Sequence, residues 1–112
     1  MKIKTYAIDI DGVICKTYKS DYEKSTPNLH IIDKINSLHT RGHRIIIFTA
    51  RFMGRTNNNY EEAYKLGYDF TIKQLQSWNV KFDKLIMGKP SFDILIDDKA
   101  FNYSENWLKE LN

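Results

Sequence analysis

Near its N-terminus the chain reads Tyr6-Ala7-Ile8-Asp9-Ile10-Asp11-Gly12-Val13, an apolar run that stops at two aspartates one residue apart and then at glycine. A near-continuous apolar run closed by acid and glycine predicts a central parallel strand buried on both faces. Side chains alternate along a strand, so Asp9 and Asp11 share one side at its C-terminal end. In open α/β sheets that end borders the ligand crevice. The competing reading is a plain strand-ending turn, for which Asp-Gly is common. The rest of the chain decides between them.

The segment from Val13 to Thr26 is polar, aromatic and irregular, and reads as a flap beside the crevice carrying Lys16, Tyr18 and Lys19. Cys15 lacks an activating base and reads as a small packing residue. Ser25-Thr26-Pro27 predicts a helix start, with Leu29, Ile32, Ile35 and Leu38 at helical spacing and Gly42 at the end. Arg44-Ile45-Ile46-Ile47-Phe48-Thr49 is the second predicted strand. A right-handed βαβ crossover brings Thr49 to the same sheet edge as Asp9. After Ala50 and Arg51 comes a polar loop, Phe52 to Asn59, of the kind that holds substrate contacts, with Arg55 and Asn57 to Asn59 as donors.

Further on, the pattern predicts a short helix from Tyr60 stopped by Gly67, then another from Thr71 as N-cap to Trp78. A third strand lies within Val80 to Met87 and is broken by Gly88-Lys89-Pro90. A fourth, Ile94-Leu95-Ile96, is closed by Asp97-Asp98. A C-terminal helix with Ser104 as cap carries Trp107, Leu108 and Leu111. His30, His39 and His43 lack metal-like spacing and read as surface or structural residues.

These strand ends deliver Asp9 and Asp11, Thr49, Lys89, and Asp97 with Asp98 to one edge. Four carboxylates crowded against one lysine call for a cation. Ligands that are all oxygen, without a histidine or cysteine cluster, favour Mg2+ over zinc. Lys89, the Thr49 hydroxyl and the exposed backbone N–H groups after the second strand then suit a dianion such as phosphate.

At 112 residues the chain suits a single domain, 1–112, with room for one active site. A net charge of +3, scattered along the chain, is too small for a nucleic-acid binder and suits a small anionic metabolite. One cysteine, no visible signal peptide and no membrane-length apolar run make a cytoplasmic location the expectation.

In the order of these motifs the chain resembles the haloacid dehalogenase (HAD) superfamily of phosphohydrolases. Asp9-Ile10-Asp11-Gly12-Val13 looks like its first motif, Thr49 the second, Lys89 in Gly-Lys-Pro the third and Asp97-Asp98 the fourth. The resemblance implies an α/β, three-layer Rossmann-like core with a central parallel sheet in the order 3-2-1-4. It implies Asp9 as nucleophile, Asp11 as general acid and base, and Thr49 and Lys89 on the phosphoryl oxygens. Mg2+ would be held by Asp9, the Asp11 carbonyl and Asp97, with Asp98 on the metal through water or orienting Lys89. Ala50 and Arg51 would add substrate contacts.

Neither gap between motifs holds a cap domain, so the crevice is expected to be open unless a second copy of the chain or a bulky substrate covers it. A finer similarity, in Phe48-Thr49-Ala50-Arg51-Phe52-Met53, Phe70-Thr71-Ile72-Lys73-Gln74-Leu75 and Gly88 to Ala100, is to small capless phosphatases of bacterial capsule and lipopolysaccharide biosynthesis. It suggests that pathway, and the open crevice with the donors of Arg51, Arg55 and Asn57 to Asn59 makes a phosphosugar or polyol phosphate the expected substrate. Phosphomutase activity and a catalytically silent phospho-ligand binder are the alternatives. A signalling receiver domain fits less well, because its acid pair and phosphorylated aspartate come from different strands.

Overall fold

A computed structural model of the chain describes residues 2–104. In chain order the elements are β1 (Thr5–Ile8), β2 (Cys15–Lys16), a 3-10 turn (Tyr22–Lys24), β3 (Thr26–Pro27), α1 (Leu29–Thr40), β4 (Arg44–Thr49), α2 (Tyr60–Ser77) and β5 (Lys84–Met87). The β-branched run of β4 forms the middle of a three-stranded parallel sheet, β1-β4-β5, with Ala7 opposite Ile46 and Phe48 opposite Ile86. Ile45 and Ile47 are fully buried and join Ile8, Ile35, Leu38, Leu75 and Leu85 in one core. No helix of the described residues is long and apolar enough to cross a membrane.

Several elements differ from the sequence expectation, each for a local reason. Thr26–Pro27 does not open the first helix, because it pairs antiparallel with Cys15–Lys16. Asn28 is the N-cap instead, its side chain accepting from the Ile31 N–H at 3.4 Å. That start leaves Leu29 exposed and puts Ile31 in the core beside Ile32.

The two short helices expected around Gly67 are one helix, α2, with Asn59 as its cap. Gly67 does not stop it. A Cβ there would sit inside the ring of Phe52, so this glycine serves a close approach between a loop side chain and a helix. Thr71 is accordingly a buried mid-helix residue and not an N-cap.

The largest departure is at the end of the chain. Ile94-Leu95-Ile96 forms no strand in the described structure and stands 79%, 53% and 94% exposed. Reaching the far side of β1 from β5 means crossing the whole sheet, a connection that usually needs a dozen or more residues, and only Gly88 to Asp93 lie between. With β4 on one side and no strand on the other among the described residues, β1 is an edge strand rather than the expected central one, and Thr5 and Ala7 are exposed. The helix expected over Trp107, Leu108 and Leu111 lies outside the described residues.

Candidate active site

The first acidic pair sits just past β1, not on it. The strand ends at Ile8, and the chain turns around the buried Ile10, whose carbonyl accepts the N–H groups of Val13, Ile14 and Cys15 at 3.1, 2.8 and 3.2 Å. Gly12 completes the turn in the left-handed region at φ 88°, where a side chain would be strained. Asp9 and Asp11 therefore stay neighbours, but a turn and not strand alternation sets their directions.

β5 supplies the next group. The Lys89 N–H donates to the Thr49 carbonyl at 3.1 Å, which carries the lysine to the end of β4 and places its Nζ 3.5 Å from Asp9 Oδ2. Asp9 Oδ1 accepts the Ile10 N–H at 2.8 Å. Even so, burial pushes the Asp9 carboxyl above its ordinary pKa, outweighing the attraction of Lys89. Thr49 is fully buried, and its hydroxyl oxygen accepts the Arg51 N–H at 3.1 Å. Asp9, Asp11, Thr49 and Lys89, drawn from three chain regions, thus meet at one end of the sheet.

Arg51 is not available to substrate as the sequence reading had it. Its side chain is fully buried and turned inward: Nε lies 2.9 Å and Nη2 2.9 Å from the two oxygens of Asp11. Nη1 donates to Gln74 Oε1 at 2.6 Å, and the guanidinium lies 4.7 Å over the Tyr22 ring. Gln74 in turn donates from Nε2 to the Tyr22 carbonyl at 2.7 Å, and the Thr17 hydroxyl donates to Asp11 Oδ1 at 2.6 Å.

Sequence reasoning missed Gln74 and Thr17. Gln74 adjoins the buried Leu75 and follows Thr71 by one turn, and a polar residue at the margin of an apolar helix face needs a partner. That was the one available signal. Thr17 lies in a segment without periodicity and gave none.

Arg55, Asn58 and Asn59 of the loop also have partners within the chain. Arg55 donates to the Ser20 carbonyl and lies 4.6 Å over the Phe52 ring, the Asn58 side chain accepts from the Ser91 N–H, and Asn59 caps α2. Ala50 is half-buried, whereas Lys16, Tyr18 and Lys19 face solvent. Cys15 has the expected packing role: it is buried, and burial raises its thiol pKa. Of the histidines, His43 is buried and accepts the Lys4 N–H on Nδ1 at 3.0 Å, and His39 lies 3.3 Å from Asp83.

Asp97 and Asp98 are not brought to this site. Both are exposed, Asp97 Oδ1 accepts the Lys99 N–H at 2.9 Å, and no group of three or more metal-ligating side chains forms among the described residues. The carboxylate best suited to a hard cation is Asp9, whose desolvation Lys89 leaves incompletely offset.

No family model and no curated protein matches the chain. Among solved structures it is similar to the crystal structure of an MCSG target from Vibrio cholerae, at 25% identity and a TM-score of 0.82, over 97% of this chain and 96% of that one. The likeness extends along almost the whole chain and supports a compact α/β fold.

Proposed function

We propose that the chain is a Mg2+-dependent, HAD-type phosphomonoester hydrolase working through a phosphoaspartyl intermediate on Asp9. The observation that carries this reading is the contact of Asp9 with Lys89, 80 positions away in the sequence, beside Thr49 and Asp11 at the C-terminal end of a parallel sheet. A carboxylate held against a cation at such an edge suits in-line attack on phosphorus, with rate coming from positioning and charge neutralisation.

Asp9 attacks the phosphorus, and the P–O bond to the substrate alcohol breaks. Asp11, ion-paired with Arg51, takes a proton from the bound phosphomonoester, gives it to the leaving oxygen, and then takes one from the water that attacks the phosphoaspartate and releases inorganic phosphate. Lys89 and the Thr49 hydroxyl bind the non-bridging oxygens. Mg2+ on Asp9 and the Asp11 carbonyl would neutralise charge on the transferring group.

Asp97 and Asp98 join this set only if Ile94-Leu95-Ile96 docks as a fourth strand on the open edge of β1, which would complete a three-layer Rossmann-like core with β5, β4, β1 and that run side by side, the expected order 3-2-1-4. The exposure of those three apolar residues and of the β1 edge favours such docking, for which the short 88–93 connection would have to run extended across the sheet. The substrate is a phosphosugar or polyol phosphate of surface-polysaccharide assembly in the cytoplasm, and a second copy of the chain closes the crevice. These finer points rest on the resemblance of motifs.

A Mg2+-supported screen of phosphosugars, polyol phosphates, nucleotides and phosphopeptides, ranked by kcat/KM, tests the proposal. Preference for nucleotides or phosphopeptides would remove the polysaccharide substrate. Transfer to a second hydroxyl would identify a mutase. No turnover of any ester would leave a silent phospho-ligand binder.

A further inference from the structure

We infer that Gln74, on α2, is a positioning residue that aims the Asp11 carboxylate through Arg51. The inference rests on the phosphohydrolase reading above and assigns a role in it to residues that touch neither phosphate nor nucleophile. Arg51 has no freedom to serve two masters: its guanidinium is enclosed, with one edge on Asp11, Nη1 on Gln74 and its face on Tyr22. A buried guanidinium must have its donors paired, so the direction in which Nη1 is satisfied sets the plane of the whole group.

Gln74 supplies that direction and is itself fixed, because its amide nitrogen donates to the Tyr22 carbonyl. The orientation of α2 is thereby passed to a carboxylate on the turn after β1. Thr17 completes the clamp from the flap, bonding Asp11 Oδ1 and lying 2.6 Å from the Ser25 hydroxyl.

A chain of this kind matters because proton transfer to a leaving oxygen is sensitive to the placement of the carboxyl group, and displacement of a reacting group by about 1 Å can cost a hundredfold. Gln74→Leu keeps the bulk of the side chain but removes the acceptor for Nη1 and the donor for Tyr22. Gln74→Glu keeps the acceptor toward Arg51 and loses only the donor.

The test measures steady-state turnover of an aryl and an alkyl phosphate with Mg2+, together with melting temperature, for wild type and both variants. Gln74→Leu is expected to lower kcat for the alkyl phosphate about tenfold or more with KM within about twofold, and to affect the aryl phosphate less, because a good leaving group needs less protonation. Gln74→Glu is expected to recover at least about a third of wild-type kcat. Equal losses on both esters that follow the melting temperature, or a Gln74→Leu variant as active as wild type, would overturn the inference.

If wild type releases phosphate from neither ester, it is the phosphohydrolase reading that fails. The clamp is then read from the NMR signal of the Arg51 Nε–H, assigned by its loss in Arg51→Lys. A shift in Gln74→Leu that Gln74→Glu reverses supports the clamp, and an unmoved signal refutes it.

Discussion

Asp9-Ile10-Asp11 and Asp97-Asp98 each follow an apolar run, yet the first pair is held from four directions and the second by its own backbone. Thr17, Arg51, Gln74 and Lys89, directly or through one another, fix the first pair. Asp97 bonds the N–H two residues on. The pKa directions follow suit: burial raises Asp9, whereas the Lys99 N–H lowers Asp97 in open solvent. The difference teaches that an acid pair becomes a site through partners from distant elements, since only burial among such partners makes a carboxylate's charge strong and its direction fixed.

Asp9→Asn should have the largest effect, lowering turnover by about a thousandfold or more by removing the proposed nucleophile. Its folding consequence has the opposite sign. A carboxyl whose folded pKa is raised weakens the fold at pH values above that pKa, so the melting temperature near neutral pH should not fall, and any gain should vanish as pH drops through the acid range. A destabilised Asp9→Asn protein would mean that Lys89 stabilises Asp9 more than burial opposes it.

The second pair offers the sharpest way to break the comparison. If the 94–96 segment docks on β1 during turnover, Ile96→Asp and Asp97→Asn should each lower Mg2+-supported activity about tenfold or more, and Asp97→Asn should raise the Mg2+ concentration for half-activation. Unchanged activity in both variants would keep the two pairs as separate as the structure draws them.

Next in size is the packing behind the held pair. Gly67→Ala should destabilise by about 1–3 kcal/mol, despite the better helix propensity of alanine, because the new methyl meets the Phe52 ring. Phe52→Leu in the same chain should restore part of the loss in a thermal melt. A neutral Gly67→Ala would show that the ring moves aside freely.

Asp83 is the intermediate case: an exposed carboxylate with distant partners, accepting the Ile45 N–H at 2.8 Å and facing His39. The Ile45 N–H, and then His39, lower its pKa, so its contribution is present above the unfolded carboxylate pKa and fades as pH falls through the lower folded value. Asp83→Asn should therefore cost less than about 1 kcal/mol near neutral pH, solvent screening being strong, and the gap from wild type should shrink below pH of about 4. A gap independent of pH would mean that the amide replaces the carboxylate bond for bond.

Much of the site was legible because a parallel sheet sends its strand ends to one edge. Asp9, Thr49 and Lys89 could be gathered from spacing and apolar runs alone, and Cys15 could be set aside as packing. What stayed hidden depended on direction. Arg51 follows Thr49-Ala50 and so belongs near the crevice, but nothing local says whether it points outward or back to Asp11. Gly67 obeys the usual rule for a helix stop until Phe52, from a loop 15 positions earlier, needs the space of its missing side chain.

The sequence alone determined the βαβ order, the parallel sheet and that Asp9, Thr49 and Lys89 gather at its end, since these follow from short-range periodicity and from the few crossovers a chain can make. Tertiary structure decided which carboxylates are held, which way Arg51 faces and whether the fourth apolar run pairs. Those outcomes turn on desolvation and hydrogen-bond geometry between residues far apart in the chain, which no local pattern encodes.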